Sequence, residues 1–295
     1  MKSCSRLTQR IESFAFRHRC FSSTFHKRPL PTSLVALSSI TGKKLFKQAL
    51  DLGGMETFFP LAEQFITQSE PSFCSLTSLA MVLNALNHDP GKTWKGVWRW
   101  ISEETLQCEF PDTCGHSLSR VKTMGMNFSE FESLARCHDA VISSRRASAG
   151  TERELNINIF RNHIKEISCS NMAKSFIVCN FSRSTLDQTG DGHFSPIGGY
   201  HLEKDLILIM DVARFKYPPF WVSVDKLWDA MSQKDAATGD HRGYFIISTN
   251  GKTAHSESEV CSTHDISGMC DKHSHNHDHQ KTNIHCGHDH DYRLK

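Results

Sequence analysis

Residues 68–86 read QSEPSFCSLTSLAMVLNAL, and their interpretation decides the fold. Up to Pro71 the stretch is polar and broken. After Cys74, the residues Leu76, Leu79, Ala80, Leu83 and Leu86 recur at helical spacing. This predicts a helix that starts at a cysteine and stops where His88-Asp89-Pro90-Gly91 forces a turn. A helix N-terminus favours a thiolate through its dipole and unpaired N–H groups, and a nearby imidazolium favours it further. A single cysteine on an apolar face is more often a small buried hydrophobe. The catalytic reading of Cys74 therefore rests on what else the chain supplies.

Gln68 lies on the loop entering the helix, where its amide can donate to an oxyanion together with the backbone N–H of Cys74. TGDGHFSPIGGY, residues 189–200, puts His193 at the start of a strand among glycines that allow close approach to the backbone. A tight turn at Glu203-Lys204-Asp205 then leads into DLILIMDVA, which predicts an antiparallel hairpin and returns Asp211 toward His193. A cysteine, a histidine and a carboxylate orienting the imidazole make a nucleophile–base–orienter set. The chain order Cys, His, Asp, with the cysteine on an early helix and the histidine on a later sheet, matches papain-like architecture.

Around this set the pattern is globular from about Leu45 to Asn250. The tryptophans Trp94, Trp98 and Trp100 read as core or pocket wall. Residues 115–174 read as mixed and mostly helical, with Ser143–Gly150 as a loop. SFIVCNF (175–181) and GYFIIST (243–249) read as strands, and VSVDKLWDAM (222–231) as a helix. Helices first and antiparallel strands second give an α+β fold.

The chain has 295 residues, 38% hydrophobic and 22% charged, which fits one globular domain with unstructured ends. A net charge of +2 gives no support for nucleic-acid binding, and no apolar run approaches the roughly 18 residues of a membrane span. The eleven cysteines are odd in number and scattered, which fits free thiols in a reducing compartment better than a disulfide scaffold. Residues 1–34 carry seven Lys or Arg against one acid and are rich in Ser and Thr, the composition of a mitochondrial transit peptide directed to the matrix. Beyond Asn250 the chain becomes a low-complexity tail expected to be disordered, residues 251–295. There His273, His275, His277, His279, Cys286, His288 and His290 could ligate Zn²⁺, Cu²⁺ or softer ions.

QSEPSFC, VLNALNHDPGKTWKGVWRW, TGDGHFSPIGGY and DVARFKYPP together closely resemble the signature segments of the phytochelatin synthases. The resemblance runs from Lys44 to Thr249, setting a catalytic domain at about 44–250. It implies a papain-like fold with Cys74 as nucleophile, His193 as base, Asp211 as orienter and Gln68 in the oxyanion hole. It also implies γ-glutamylcysteine transfer between glutathione molecules to make phytochelatins. No prosthetic group is expected. A heavy-metal ion (Cd²⁺, Zn²⁺ or Cu²⁺) would act as activator or arrive as the metal–glutathione thiolate, and a homodimer is compatible with the sequence. Glu70 is expected to meet the substrate ammonium, and Arg214 with Lys216 and Tyr217 to serve the acceptor.

Two positions depart from the family pattern. Ser75 follows the nucleophile where glycine is usual and could crowd the acyl pocket. Asp191 stands where a small neutral residue is usual and could raise the pKa of His193. Two other readings stay open: a hydrolase releasing γ-Glu-Cys from the same acyl-enzyme, and a metal-binding protein on an inactive scaffold.

Overall fold

A helix that is mostly apolar around its whole circumference is stable only inside the molecule. Cys74–Ala85 is such a helix, with ten of its twelve residues buried. The computed structural model describes residues 27–106 and 117–250, and this helix, α3, sits against the middle of its sheet. Before it come a two-residue strand β1 (Val35–Ala36), α1 (Ile40–Asp51) and α2 (Phe58–Glu63). After it come α4 (Leu118–Met124), α5 (Phe128–Cys137), β2 (Ala140–Arg146) and α6 (Arg153–Ser168). The chain then runs through β3 (Ser175–Ser182), β4 (Gly192–His201), β5 (Leu206–Ile209), β6 (Phe220–Ser223), α7 (Val224–Met231) and β7 (Gly243–Thr249).

The strands form one antiparallel sheet in the order β1-β6-β5-β4-β3-β7-β2. β3 is buried on both faces, which explains its almost uninterrupted apolar run. Its side chains alternate between two cores: Phe176 and Val178 join α3, α5, Phe194 and Phe245, whereas Ile177, Cys179 and Phe181 join α6 and α7. The sheet is thus sandwiched between helices, the α+β arrangement expected from the sequence. Local signals fix the helix starts. Ser39 caps α1, Ser223 caps α7, and Asn127 with Glu130 closes a capping box on α5.

Several expectations are corrected. The loop expected at Ser143–Gly150 begins only after Arg146: residues 140–146 form an edge strand paired along its length with β7, in which Ala140 and Ile142 face inward, while Ser143, Ser144, Arg145 and Arg146 gave the segment its loop-like composition. The tryptophans are not core. Residues 91–100 are exposed, Trp98 at 70%, because the segment folds into a turn around Gly96 held by hydrogen bonds between Trp94, Lys95 and Trp98. The expected domain start at residue 44 falls inside α1, and residues from the assigned leader belong to the folded unit: Leu34 is buried, Leu30 packs beside it, and the Arg28 N–H donates to the Lys216 carbonyl. Cys137 is disulfide-bonded, against the expectation of free thiols, whereas Cys74, Cys169 and Cys179 are free. The rest of the leader (1–26) and the tail histidines with Cys286 lie outside the described residues. No helix among the described residues is long and apolar enough to cross a membrane.

Phe245 joins both site-bearing layers, with ring centroids 4.1 Å from Phe128 and 4.6 Å from Phe131. Phe245→Ala should cost about 3–5 kcal/mol through the cavity it leaves. Urea unfolding should show a lower midpoint with an unchanged slope.

Candidate active site

The site is organised on Asp211. The chain leaves β5 hydrogen-bonded to β4 through Met210 N–H and the Pro196 carbonyl, which delivers the fully buried Asp211 beside His193. Asp211 Oδ1 accepts from Arg183 Nη2 at 3.0 Å, from His193 Nε2 at 3.0 Å and from its own loop at Ala213 N, 2.9 Å. Arg183 follows β3 directly, is itself buried, and gives its other terminal nitrogen to Gln188. Its guanidinium lies 5.3 Å from the Tyr217 ring centroid. Although burial alone would push the Asp211 carboxyl up, the His193 and Arg183 charges and their hydrogen bonds hold it far below the usual carboxylate range.

His193 Nε2 also meets Ser195 Oγ at 2.9 Å, so Nδ1 is the ring nitrogen that neither Asp211 nor Ser195 engages. Burial, aided by the neighbouring Arg183 charge, pushes the imidazole down to about 4 despite Asp211. Asp191, expected to raise it, instead pairs with Arg242 at 3.1 Å with its side chain largely in solvent.

Cys74 lies at the first residue of α3, as read from sequence, but the predicted depression of its pKa is reversed. Burial raises the thiol, and this outweighs the lowering by the Phe194 and Ser75 N–H groups and by Arg183; Asp211 raises it further. At neutral pH the resting pair is therefore thiol and imidazole. Ser75 is fully buried, its Oγ has no partner among the described residues, and it is not on the cavity wall. The loop ahead of Cys74 is braced twice. Gln68 Nε2 donates to the Glu70 and Pro71 carbonyls at 2.8 and 2.9 Å, leaving Oε1 unpaired. The buried Glu103 carboxylate accepts from Ser69 N, Ser69 Oγ and Thr77 Oγ1, tying the loop to the first turn of α3.

Cys74 and His193 open into one cavity of about 500 Å³, whose walls carry Arg120, Glu130, Arg183, Asp191, Asp235 and Arg242. Of the expected substrate residues only Lys216 lines it, with its ammonium on the Thr189 carbonyl. Glu70 is outside, paired with Lys122. Arg214 lies over the Phe65 ring at 4.6 Å, so cation–π packing replaces the expected carboxylate. Tyr217 is buried, and its hydroxyl accepts from Thr189 N at 2.9 Å. Sequence reading missed Arg183, Arg242 and Asp235. A charged residue ending the apolar run 175–182 and another beginning 243–249 were the available signals, since a buried arginine needs a carboxylate. Among the described residues no cluster of three or more His, Cys, Asp or Glu could hold a metal.

The phytochelatin synthase family model matches residues 25–244. The chain belongs to the phytochelatin synthase family. It is 47% identical over 227 residues to glutathione gamma-glutamylcysteinyltransferase 1 of Triticum aestivum and 45% over 228 residues to number 3 of Lotus japonicus. To the enzyme of that name from Schizosaccharomyces pombe it is 42% identical over 224 residues. These alignments cover 76–77% of the chain but only 43–51% of the relatives, so the chain spans about half their length. A solved peptidase domain of Streptococcus ComA aligns over 62% of this chain and 96% of its own at TM-score 0.34 and 11% identity, too remote to bear on fold or function.

Two measurements check the electrostatics. Inactivation by iodoacetamide through Cys74 should keep accelerating with pH and show no plateau below pH 9, because the thiol titrates above its ordinary 9.0. The imidazole of His193 has its pKa lowered from 6.5 to about 4, so the unfolded chain binds the extra proton between those values. Stability should therefore fall by up to about 3 kcal/mol as pH drops from 6.5 to 4. His193→Gln should remove this contribution. His138, His163 and His201, which burial also lowers, add to the same slope.

Proposed function

We propose that the chain is a γ-glutamylcysteine dipeptidyl transferase that builds phytochelatins from glutathione. The observation that carries this reading is a buried Cys74–His193–Asp211 set opening on a cavity rimmed by paired charges, in a member of this family. A zwitterionic γ-glutamyl end is matched by walls that offer carboxylates and guanidiniums together, as Asp235, Asp191 and Arg242 do.

In the proposed cycle His193 Nδ1 takes the Cys74 proton as sulfur attacks the carbonyl between cysteine and glycine of glutathione. The oxyanion forms against the backbone N–H of Cys74, with Gln68 sharing an N–H now given to a loop carbonyl. The C–N bond breaks as His193 passes its proton to the departing glycine amine, leaving the γ-Glu-Cys thioester. The α-amine of a second glutathione then attacks. Its proton moves to His193 and on to Cys74 sulfur as the C–S bond breaks, lengthening the peptide by one γ-Glu-Cys unit. Asp211 holds the ring with Nδ1 toward the thiol throughout. Cd²⁺, Zn²⁺ or Cu²⁺ enters as substrate, carried on the acceptor's thiolate, and the products chelate such ions through their own thiolates. The Arg- and Ser-rich leader directs the protein to the mitochondrial matrix.

The full chain incubated with millimolar glutathione, with and without Cd²⁺, should give a (γ-Glu-Cys)n-Gly ladder by mass spectrometry. Cys74→Ala should abolish it. Only γ-Glu-Cys and free glycine would make the protein a hydrolase. No turnover, with metal still bound, would overturn the enzyme reading.

A further inference from the structure

Three guanidinium groups line the cavity, and they differ in how far the protein has already used them. Arg183 gives one terminal nitrogen to Asp211 and the other to Gln188. Arg242 gives one to Asp235 and the other to Asp191. Arg120, on α4, gives Nη2 to Glu130, while its Nη1 is buried and has no partner among the described residues. A buried guanidinium nitrogen without an acceptor is costly, and a carboxylate is the group that best satisfies it.

The position of Arg120 is fixed by its surroundings. Ser117 caps α4 by accepting from the Arg120 N–H, and Gly125, at φ +68, ends the helix. Glu130 is held from both sides, one oxygen on Arg120 and the other on Asn127 N at 2.8 Å within the α5 capping box. Glu130 therefore fixes the arginine's orientation and leaves Nη1 for a ligand. The same wall touches the nucleophile loop, where Ser72 Oγ donates to the Lys122 carbonyl at 2.8 Å.

We propose that Arg120 binds a carboxylate of the acceptor peptide, holding it for attack on the Cys74 thioester, and so sets the balance between transfer and hydrolysis. This rests on the transferase reading. The acceptor offers two such groups, the γ-Glu α-carboxylate beside the attacking amine and the C-terminal glycine carboxylate.

The test follows products and glycine release across a range of glutathione concentrations in the full chain, comparing wild type with Arg120→Ala and Arg120→Lys. In wild type, transfer overtakes hydrolysis at some glutathione concentration. Arg120→Ala should raise that concentration about tenfold or more, as expected for a lost charge-assisted hydrogen bond, and by more than it changes the rate of first-turnover glycine release. Arg120→Lys should recover part of the loss. First-turnover glycine release also reports that the variants fold. With glutathione glycine ethyl ester as acceptor, a persisting Arg120→Ala effect assigns the γ-Glu carboxylate; wild type behaving like Arg120→Ala assigns the glycine carboxylate. An unmoved crossover, or a crossover that moves only as much as glycine release, overturns the proposal while leaving the transferase intact. A wild type that never forms the ladder overturns both.

Discussion

A carboxylate with no exposed surface is tolerated only where cations and N–H groups surround it, and Asp211 is that constraint here. Its partners come from three places in the chain: Arg183 at the end of β3, His193 at the start of β4, and the Ala213 N–H just beyond β5. The three can meet only if β3, β4 and β5 are adjacent and antiparallel in the observed register, with Phe181 opposite His193. The requirement that pairs this charge therefore also fixes the centre of the sheet. α3 completes the set from the other side, where Ser78 Oγ donates to the Phe194 carbonyl and the Phe194 N–H faces the Cys74 thiol. Close packing at Gly192 belongs to the same arrangement: a Cβ there would lie 2.8 Å from Arg242 Nη1, so glycine lets Arg242 sit against the strand that carries His193.

The electrostatic outcome is a neutral resting site. Arg183 and Asp211 cancel each other, burial keeps His193 unprotonated, and burial keeps Cys74 a thiol. The helix N-terminus and the N–H groups of Ser75 and Phe194 do favour the thiolate, but in this dry setting they do not prevail over desolvation. Attack then couples proton transfer to bond formation. Beyond this set lies the cavity, where charges occur in pairs and Arg120 retains a donor unused by the described residues.

Much of this was legible in the sequence because the decisive features are local. Helical spacing after Cys74, the short turn between β4 and β5, and the strand GYFIIST each declare themselves within a dozen residues. The placing of His193 and Asp211 followed from that one hairpin. What was not legible depends on distant partners. Nothing near Arg183 indicates that its carboxylate lies 28 residues on, and nothing near Glu103 indicates that it braces the loop at Ser69, 34 residues earlier. Burial was the second blind spot. The tryptophans of residues 94–100 have core composition yet lie outside, and Ser143–Arg146 has loop composition yet pairs in the sheet. In both, tertiary context overrode residue type.

Asp211, neutralised by Arg183, fixes the proton of His193 on Nε2, and burial keeps the ring a neutral imidazole. Direct observation of the His193 ring by ¹⁵N and ¹H NMR across a pH titration tests both. A single Nε2–H tautomer and a midpoint near 4 are expected. A ring that titrates at or above the ordinary 6.5, or that carries its proton on Nδ1, would contradict this.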